Sequence, residues 1–359
     1  MMLKGDYINR SDYIEDVSDE KSSSEADPLG LDLSSFGEDD NSIDYSSSIK
    51  ELIELGYAYG IYFIFIYFIN GGVSLKILIT GANGMLGKDL QESLVNYEII
   101  ATGSKDLDIT DYDAVLNKFD EFKPDFVINS AAYTAVDDCE THYDEAYAVN
   151  AIGPKNLAIA CNNLDIPLVH FSTDYVFTGD KRTPLLENDE LGPKSVYGKT
   201  KLMGEEFIEE NHDKYFILRT AWLYGLHGSN FVKTMLTLAE NHDEVSVVYD
   251  QIGSPTFTRD LALAICELVE YYINNKKDMS KYGVYHLTNS AECSWYEFTK
   301  EFYKIANLDT KVNPVTTEEF PRPAPRPHYS VLSNEKWVNA GFTPMREYKE
   351  AIKDYLDII

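Results

Sequence analysis

One glycine-rich stretch, residues 75–87, constrains the fold of this chain more than any other. It reads Leu-Lys-Ile-Leu-Ile-Thr-Gly-Ala-Asn-Gly-Met-Leu-Gly. Its first six residues are mostly aliphatic or β-branched, as is typical of a strand buried on both faces of a parallel sheet. Gly81, Gly84 and Gly87 then allow a tight turn into a helix whose free N–H groups and dipole favour a pyrophosphate. An ordinary glycine turn is the alternative, but the flanking strand and amphipathic helix favour a nucleotide site.

The chain continues as a regular alternation of strands and helices. Further strands are predicted at 98–102, 124–129 and 166–171, with helices between them, the last of which is long and runs from residue 144 past residue 160. Strands at 215–221, 245–249 and 282–287 follow, again alternating with helices, and 251–256 is interpreted as a turn-rich loop. This order is that of a doubly wound parallel sheet, so the predicted fold class is α/β and Rossmann-type. We expect residues 75–359 to form an NAD(P)-binding domain, with a smaller C-terminal substrate-binding lobe built mainly from parts of 222–359.

Charge and cysteine content exclude several classes of protein. The net charge of −29 over 359 residues indicates no basic surface that could pair with nucleic acid. The four cysteines lack the spacing of metal ligands, so we expect free thiols in a reducing compartment, the cytoplasm. The sequence therefore predicts no metal site, no nucleic-acid partner and no membrane partner.

The first 74 residues differ in character from the rest. Residues 1–50 are rich in Ser, Asp and Glu and are expected to be disordered. An aromatic and aliphatic run at 56–69 is shorter than the roughly 20 residues that a spanning helix needs, which leaves a membrane anchor as the weaker interpretation. Our hypothesis is that residues 1–74 are a non-native extension. Gly71-Gly72-Val73 can be encoded by a ribosome-binding sequence, and Leu75 by the alternative start codon TTG.

The end of the second predicted strand bears on the choice of cofactor. An acidic residue at this point would hold the ribose hydroxyls of NAD. Here Ser104 and Lys105 follow the strand instead, which tolerates a 2′-phosphate and favours NADPH, while Asp106 keeps NADH possible. Asp108 is a candidate to bind the adenine amine, and equally a candidate carboxylate at a helix N-terminus.

Hydroxyl-bearing residues follow the fourth predicted strand, at the edge where open α/β sheets bind ligands. The segment Ser-Thr-Asp-Tyr-Val-Phe contains Thr173, and Tyr-Gly-Lys-Thr-Lys then opens a helix with Tyr197 and Lys201 four residues apart. That spacing puts both side chains on one helical face, where an ammonium favours an ionised phenol. Two other pairs share the spacing but not the position, and we interpret them as helix-surface pairs. They are Tyr272 with Lys276 and Tyr296 with Lys300.

Five motifs occur in a fixed order along residues 75–359. They are Thr-Gly-Ala-Asn-Gly-Met-Leu-Gly, Asn-Ser-Ala-Ala-Tyr-Thr-Ala-Val-Asp, Ser-Thr-Asp-Tyr-Val-Phe, Tyr-Gly-Lys-Thr-Lys and Arg-Thr-Ala-Trp-Leu-Tyr-Gly. The set resembles the extended short-chain dehydrogenase/reductase superfamily and, within it, the dTDP-4-dehydrorhamnose reductase family. The resemblance implies reduction of the 4-keto group of dTDP-4-dehydro-β-L-rhamnose by NADPH, or by NADH, to give dTDP-L-rhamnose, the last step of dTDP-rhamnose biosynthesis.

The resemblance also implies roles for individual residues. Tyr197 would donate a proton, Lys201 would tune it and hold the nicotinamide ribose, and Thr173 would hydrogen-bond the substrate oxygen. The pyrophosphate would lie on Gly81, Gly84, Met85, Leu86 and Gly87. The adenosine and its ribose would lie along Asp108, Ile109, Ala131, Ala132 and Tyr133. The sugar pocket and the substrate diphosphate would be bound by Asp174, Tyr175, Trp222 and Arg326. A solvated arginine in a proline-rich tail is the alternative interpretation of Arg326.

Two other functions stay open on sequence grounds. The chain could be another nucleotide-sugar 4-reductase or a 4-epimerase, which the fold would not distinguish. It could instead resemble the regulatory subunit of methionine adenosyltransferase, which acts by binding alone. The intact Thr173, Tyr197 and Lys201 argue against that regulatory role. We expect a nucleotide sugar as the substrate and, by analogy, a homodimer.

Overall fold

A computed structural model describes residues 75–275, 278 and 280–359 of the chain. The expectations for residues 1–74 lie outside the described residues. A central sheet of six parallel strands runs in the order β10-β5-β4-β3-β1-β2. Its strands are β1 (Lys76–Thr80), β2 (Glu98–Thr102), β3 (Phe126–Asn129), β4 (Leu168–Thr173), β5 (Tyr215–Thr220) and β10 (Gly283–His286). The predicted α/β doubly wound sheet is confirmed.

Helices cover both faces of this sheet. They are α1 (Met85–Ser93), α2 (Tyr112–Phe122), α3 (Val136–Cys139), α4 (Tyr143–Tyr147), α5 (Gly153–Leu164), α6 (Val196–Asn211) and α8 (Thr258–Asn274). Alternate residues of β1 show why two layers form. Ile77 and Ile79 pack in one core with α1 and α8, whereas Leu78 packs in a second core with α2, α5 and α6. Continuous apolar strands are expected when both faces of a parallel sheet are buried.

A third core lies in the C-terminal half of the chain. It is strongly aromatic and includes Tyr224, Phe257, Phe298 and Tyr355, all almost fully buried. The elements of this region are β6 (Leu223–Tyr224), α7 (Phe231–Asn241), β7 (Glu244–Val248), β8 (Ile252–Gly253), β9 (Thr256–Phe257), β11 (Cys293–Ser294), α9 (Trp295–Ile305), β12 (Lys311–Val315), α10 (Glu335–Asn339) and α11 (Tyr348–Asp357). The division into a nucleotide-binding domain and a substrate lobe stays a prediction.

Two segments differ from the secondary structure expected from the sequence. The predicted long helix from residue 144 past residue 160 is interrupted by a π-helical turn, Ala148–Ile152, between α4 and α5. The stretch 251–256, interpreted as a loop, contains β8 and the start of β9, which pair with β11 and β6. Among the described residues, no helix combines the length and the apolar character that crossing a bilayer requires.

Candidate active site

The glycine turn after β1 has the geometry of a phosphate cradle. Gly81 has φ +67°, and a Cβ atom there would lie 2.5 Å from the Ala131 backbone nitrogen. A Cβ atom on Gly87 would lie 2.4 Å from the Gly81 carbonyl oxygen. The N-cap residue of α1 is Gly84, which has no side chain to cap the helix, so the first-turn N–H groups stay available to an anion. The turn therefore fits the pyrophosphate of a dinucleotide.

The two residues that follow Gly84 help to form the wall of this cradle. Met85 is half-buried, and its sulfur lies 3.9 Å from the Asn230 amide nitrogen. Leu86 is 7% exposed and belongs to the core beneath the turn. The start of α1 therefore has free backbone N–H groups on its outer side, while Met85 and Leu86 make contacts on its inner side.

The end of β2 presents a polar turn beside the glycine turn. Ser104 and Lys105 are exposed, and the Asp106 carboxylate accepts a hydrogen bond from the Gly103 backbone N–H at 2.9 Å. The Asp106 carboxylate is thus engaged by its own turn. This arrangement leaves the cationic Lys105 and the Ser104 hydroxyl at the strand end, as a 2′-phosphate would require.

Asp108 caps a turn, and the helix that follows has a different cap. The Asp108 carboxylate accepts hydrogen bonds from the Thr110 N–H and hydroxyl, at 2.9 and 2.8 Å. The N-cap of α2 is Asp111, whose side chain accepts from the Ala114 N–H at 3.0 Å. The helix-capping interpretation of Asp108 is therefore wrong, because the helix begins three residues later than that interpretation requires.

The loop after β3 is tied to α6, the helix that carries Tyr197 and Lys201, by one buried amide. Asn150, in the π-helical turn, accepts from the Tyr133 N–H at 2.8 Å and donates to the Tyr133 carbonyl at 3.1 Å. Its amide nitrogen also donates to the Thr200 hydroxyl at 3.2 Å. Ala131, Ala132 and Tyr133 are half-buried in this loop. A π-turn often marks a functional position, and here it aims a side chain that the sequence analysis did not identify as functional.

Ile109, predicted to lie along the adenosine, is buried beside α5. It is 5% exposed, and a Cβ atom on Gly153 would lie 2.4 Å from its Cδ1 atom. The side chain therefore packs against the start of α5.

Thr173 and Tyr197 meet at the C-terminal end of β4. The Tyr197 side chain hydrogen-bonds Thr173, and its ring lies edge-on to the Tyr175 ring with centroids 5.5 Å apart. Burial raises the pKa of the Tyr197 phenol above its usual value, and the Thr173 hydrogen bond opposes that rise. Tyr197 is consequently protonated at neutral pH and able to donate its proton.

Lys201, one helical turn along α6 from this tyrosine, is almost entirely buried against β4. It is 1% exposed, and its Nζ donates to the Phe171 carbonyl at 2.6 Å and lies 3.2 Å from His170 Nε2. Burial lowers the pKa of the Lys201 ammonium to about 8, and the charge of Glu205 opposes that fall. With a pKa of about 8, the Lys201 ammonium can lose its proton close to neutral pH.

The start of α6 is fixed by its own N-cap residue and by contacts from two other segments. Ser195 caps the helix by accepting from the Gly198 N–H at 3.1 Å, and Glu140 accepts from the Val196 N–H at 2.8 Å. A Cβ atom on Gly198 would lie 2.3 Å from the Tyr175 carbonyl oxygen. Because only glycine permits this approach, the helix that carries Tyr197 lies directly against the segment that carries Thr173 and Tyr175.

Asp174 is a buried carboxylate next to the reacting hydroxyls. It is 2% exposed and accepts a hydrogen bond from the Thr173 hydroxyl at 3.0 Å. Burial raises the pKa of this carboxyl to about 6, against hydrogen bonds that lower it. Its neighbour Tyr175 is half-buried. Burial raises the pKa of the Tyr175 phenol, the charges of Asp174 and Asp137 raise it further, and the charge of Arg326 opposes the rise.

Arg326 reaches the same region from the proline-rich segment near the C-terminus. Its guanidinium pairs with Asp137 at 2.8 Å, and the Arg322 guanidinium pairs with the other oxygen of that carboxylate at 3.0 Å. The Arg326 side chain is 14% exposed, whereas the Arg322 side chain is 49% exposed. Arg326 is thus largely buried and paired with Asp137, and the interpretation as a solvated arginine is wrong.

Trp222 follows β5 in a strained backbone conformation. It has φ +50°, which is uncommon for a bulky residue, and its ring stacks on Trp295 with centroids 3.6 Å apart. A Cβ atom on Gly253 would lie 2.6 Å from the Trp222 ring. Strain of this kind concentrates at functional sites, where packing holds it in place.

One group of side chains near α1 has the spacing of metal ligands. Ligand atoms of Asp89, Glu92 and His227 lie within 4.8 Å of one another. His227 Nε2 is 3.0 Å from a Glu92 carboxylate oxygen and 3.8 Å from one of Asp89. Residues so far apart in sequence give no spacing signal, and the expected lack of a metal site stays a prediction.

The structure therefore gathers Thr173, Asp174, Tyr175, Tyr197 and Arg326 at the end of β4, with Lys201 beneath them. The glycine turn and Ala131 lie at the neighbouring strand ends, while Trp222 follows β5. Sequence reasoning missed the residues that hold this set. They are Asp137, Glu140, Asn150, His170, Glu205 and Arg219. A polar residue inside an apolar strand, as at His170, is the one signal that could have been used.

Comparison with known proteins gives consistent matches. The family model described as the RmlD substrate binding domain matches residues 75–359. The spore coat polysaccharide biosynthesis protein SpsK of Bacillus subtilis is 45% identical over 283 residues, which are 78% of this chain and 96% of that protein.

Two solved structures of dTDP-4-dehydrorhamnose reductases are also similar to this chain. The one from Clostridium acetobutylicum is 51% identical with a TM-score of 0.74, and the match covers 79% of this chain and 99% of that one. The one from Bacillus anthracis, in complex with NADP, is 43% identical with a TM-score of 0.76, and the match covers 80% of this chain and 100% of that one.

Proposed function

This chain belongs to the RmlD substrate binding domain family, and we propose that it reduces the 4-keto group of dTDP-4-dehydro-β-L-rhamnose with NADPH to give dTDP-L-rhamnose. The observation that carries the proposal is the hydrogen bond between Thr173 and Tyr197 at the end of β4, where Lys201 of the same helix donates to the Phe171 carbonyl of that strand. The end of a parallel strand beside a glycine turn is where such sheets bind nucleotides and act on them.

We propose that NADPH lies across the strand ends and supplies a hydride to the substrate carbon when bound. The glycine turn and the first turn of α1 would hold its pyrophosphate, through Gly81, Gly84, Met85, Leu86 and Gly87. The adenosine half would lie along Asp108, Ile109, Ala131, Ala132 and Tyr133. The exposed Lys105 and Ser104 support NADPH over NADH, as does the NADP bound by the Bacillus anthracis reductase.

Tyr197 would serve as the general acid of the reaction. Its phenol is protonated at neutral pH, as an ordinary tyrosine is, so it can give its proton to the alkoxide that develops on the 4-keto oxygen. Thr173, which hydrogen-bonds the Tyr197 side chain, would donate to the same oxygen after its hydroxyl proton turns away from Asp174. The ammonium of Lys201, one helical turn along α6, would stabilise the phenolate that remains.

The substrate would lie between the end of β4 and the C-terminal lobe. Asp174, Tyr175 and Trp222 would line the sugar pocket. Arg326 would bind the diphosphate, since Asp137 uses only part of its set of donors. We also propose the corresponding division of residues 75–359 into a nucleotide-binding domain and a lobe built mainly from parts of 222–359.

The test is turnover by the full chain of three 4-keto sugar nucleotides. The candidates are dTDP-4-dehydrorhamnose, its UDP counterpart and dTDP-4-keto-6-deoxyglucose, each with NADPH and with NADH. The proposal predicts the highest kcat/KM for dTDP-4-dehydrorhamnose with NADPH, and dTDP-L-rhamnose as the product. A higher kcat/KM for another sugar would reassign the substrate, and binding without turnover would favour a regulatory role.

We further propose that the protein works in the cytoplasm as a homodimer. The four cysteines are free thiols, three of them buried, as is usual in a reducing compartment. Light scattering of the purified chain tests the dimer by its mass, and a monomeric mass at micromolar concentration would contradict it.

A further inference from the structure

A row of buried polar side chains crosses the sheet beneath the candidate active site. Thr80 on β1 pairs in register with Asn129 on β3, and Asn129 pairs in register with His170 on β4. Register partners on neighbouring parallel strands point to the same face, where Lys201 of α6 completes the row. All four side chains are at most 1% exposed. The catalytic mechanism proposed above uses only the last of them.

The orientation of the Asn129 amide is fixed by a group that can only donate. Its oxygen accepts from the Ala131 backbone N–H at 3.1 Å and from the Thr80 hydroxyl at 2.7 Å. Turning the amide over would set its NH₂ group against the Ala131 N–H, which has no lone pair to offer. The amide nitrogen therefore faces His170 Nδ1, at 2.9 Å.

This orientation selects one tautomer of His170. The amide nitrogen donates, so Nδ1 must accept and cannot carry the ring proton. Burial and the charge of Lys201 both lower the pKa of this imidazole well below its usual value, so it stays neutral. Its single proton is consequently on Nε2, which lies 3.2 Å from Lys201 Nζ.

A protonated Nε2 opposes the ammonium form of Lys201. The ammonium has three N–H donors and no lone pair, so two donors would meet across the 3.2 Å contact. The neutral amine has a lone pair and can accept the Nε2 proton while it still donates to the Phe171 carbonyl. The charged and titratable groups that act on this lysine are His170 from β4 and, on its own helix, Glu205, which favours the ammonium.

We propose that His170, held by Asn129, is a positioning residue that disfavours the ammonium form of Lys201 and so sets the upper pH limit of the reductase. The proposal deepens the proposed function, because it assumes that Tyr197 needs the charged lysine. The contacts lie within the chain itself, so the arrangement of protons can be measured without substrate or cofactor. Failure of the proposed reaction would leave that measurement intact.

The first experiment reads the tautomer directly. ¹⁵N-histidine-labelled full chain, without cofactor, is followed by NMR between about pH 6 and pH 9, since unperturbed imidazole titrates near 6.5. The His170 signals are assigned by their loss in His170→Phe. The expected result is a neutral ring with its proton on Nε2 throughout. A proton on Nδ1, or titration of the ring within this range, would overturn the proposal.

The second experiment moves the proton. Asn129→Asp keeps the acceptor for Thr80 and Ala131 but turns a second acceptor toward Nδ1, so the ring proton moves to Nδ1 and Nε2 can accept from Lys201. The titration midpoint of ¹³Cε-labelled Lys201 and the alkaline limb of kcat should both rise by about one pH unit. Asn129→Asp in the His170→Phe background measures the added charge alone and should give a clearly smaller rise. Equal rises in the two backgrounds, or none in either, would contradict the mechanism.

Discussion

The Glu205 carboxylate and the Arg219 guanidinium form a buried ion pair one helical turn beyond Lys201. The closest contact is 2.6 Å, and both side chains are 3% exposed. Glu205 also accepts a hydrogen bond from the Ser172 hydroxyl on β4, and Arg219 donates to the Glu187 carbonyl at 3.1 Å. The pair thus joins α6, the helix that carries Lys201, to β5 and β4.

Removing one member of this pair should strongly destabilise the protein. Glu205→Ala leaves an unpaired buried guanidinium, and we expect the free energy of unfolding to fall by about 3–5 kcal/mol. Urea denaturation followed by circular dichroism measures it. The matched control is Glu121→Ala, which removes an exposed partner of Lys118 and should cost about 0.5 kcal/mol. Equal falls in the free energy of unfolding would show that the buried ion pair stabilises the protein no more than the exposed one.

Tyr197→Phe should remove the general acid while leaving the fold and cofactor affinity nearly unchanged. We expect kcat to fall at least about a hundredfold, because proton donation to the developing alkoxide is lost. Tyr296→Phe is the matched control, since Tyr296 has a lysine four residues on, Lys300, and lies on α9. Steady-state kinetics and NADPH fluorescence titration give the two readouts. Retention of activity in Tyr197→Phe would refute its role.

Gly81→Ala should impair folding and cofactor binding by crowding as well as by strain. Gly81 and Gly228 share φ +67°, but the new methyl group would lie 2.5 Å from the Ala131 nitrogen at Gly81 and would meet nothing within 4 Å at Gly228. Gly228→Ala therefore measures the cost of the backbone conformation alone, about 1 kcal/mol. Gly81→Ala should cost at least about 2 kcal/mol more and raise the Kd for NADPH. Similar values for both variants would remove the argument from close approach.

Arg326→Ala should raise the KM for the nucleotide sugar more than it lowers kcat. The substitution removes a guanidinium that would make a bidentate, charge-assisted contact with the substrate phosphate, so we expect KM to rise about tenfold or more. Arg322→Ala is the control, because Arg322 pairs with the same Asp137 carboxylate but is 49% exposed. If both variants raise KM alike, the effect arises from Asp137 and the surrounding segment rather than from diphosphate binding by Arg326.

Asp174→Asn should stabilise the protein above about pH 6 and lose that advantage toward pH 4. Burial raises the pKa of this carboxyl from 3.8 to about 6, so the folded protein keeps a proton that the unfolded chain has already released. The free energy of unfolding therefore falls as the pH rises through this window, by about 3 kcal/mol. The amide in the Asp174→Asn variant cannot ionise, so the variant does not lose this stability as the pH rises. A stability difference that is independent of pH between 4 and 8 would contradict this account.

The local parts of the site were predictable from sequence because they depend on short spacings. Tyr197 and Lys201 share a helical face by their four-residue separation, and the glycine turn follows from the strand before it and the helix after it. The residues that hold these groups were not predictable. Asn150 acts through a π-turn that interrupts an apparently regular helix, and Asp137 meets Arg326 across a separation of 189 residues.

The fold shows the same division between local pattern and long-range pairing. The six strands of the central sheet are apolar runs followed by helices, and that pattern predicts a doubly wound sheet. The strand Lys311–Val315 was missed because it contains Pro314 and pairs only with β7, in a small two-stranded sheet. His170 lies within the strand predicted at 166–171, and the strand pattern alone gives it no role. Only the register of β3 and β4 shows that it faces Asn129.

The most direct test of the proposed reaction follows one hydrogen atom. The full chain is incubated with dTDP-4-dehydrorhamnose and NADPH deuterated at the transferable position of the nicotinamide, and the sugar nucleotide is examined by NMR. We expect dTDP-L-rhamnose with deuterium at C4 and at no other sugar carbon, formed at least about a hundredfold more slowly by Tyr197→Phe. A product of opposite configuration at C4, deuterium at another carbon, or no turnover despite bound NADPH would contradict it.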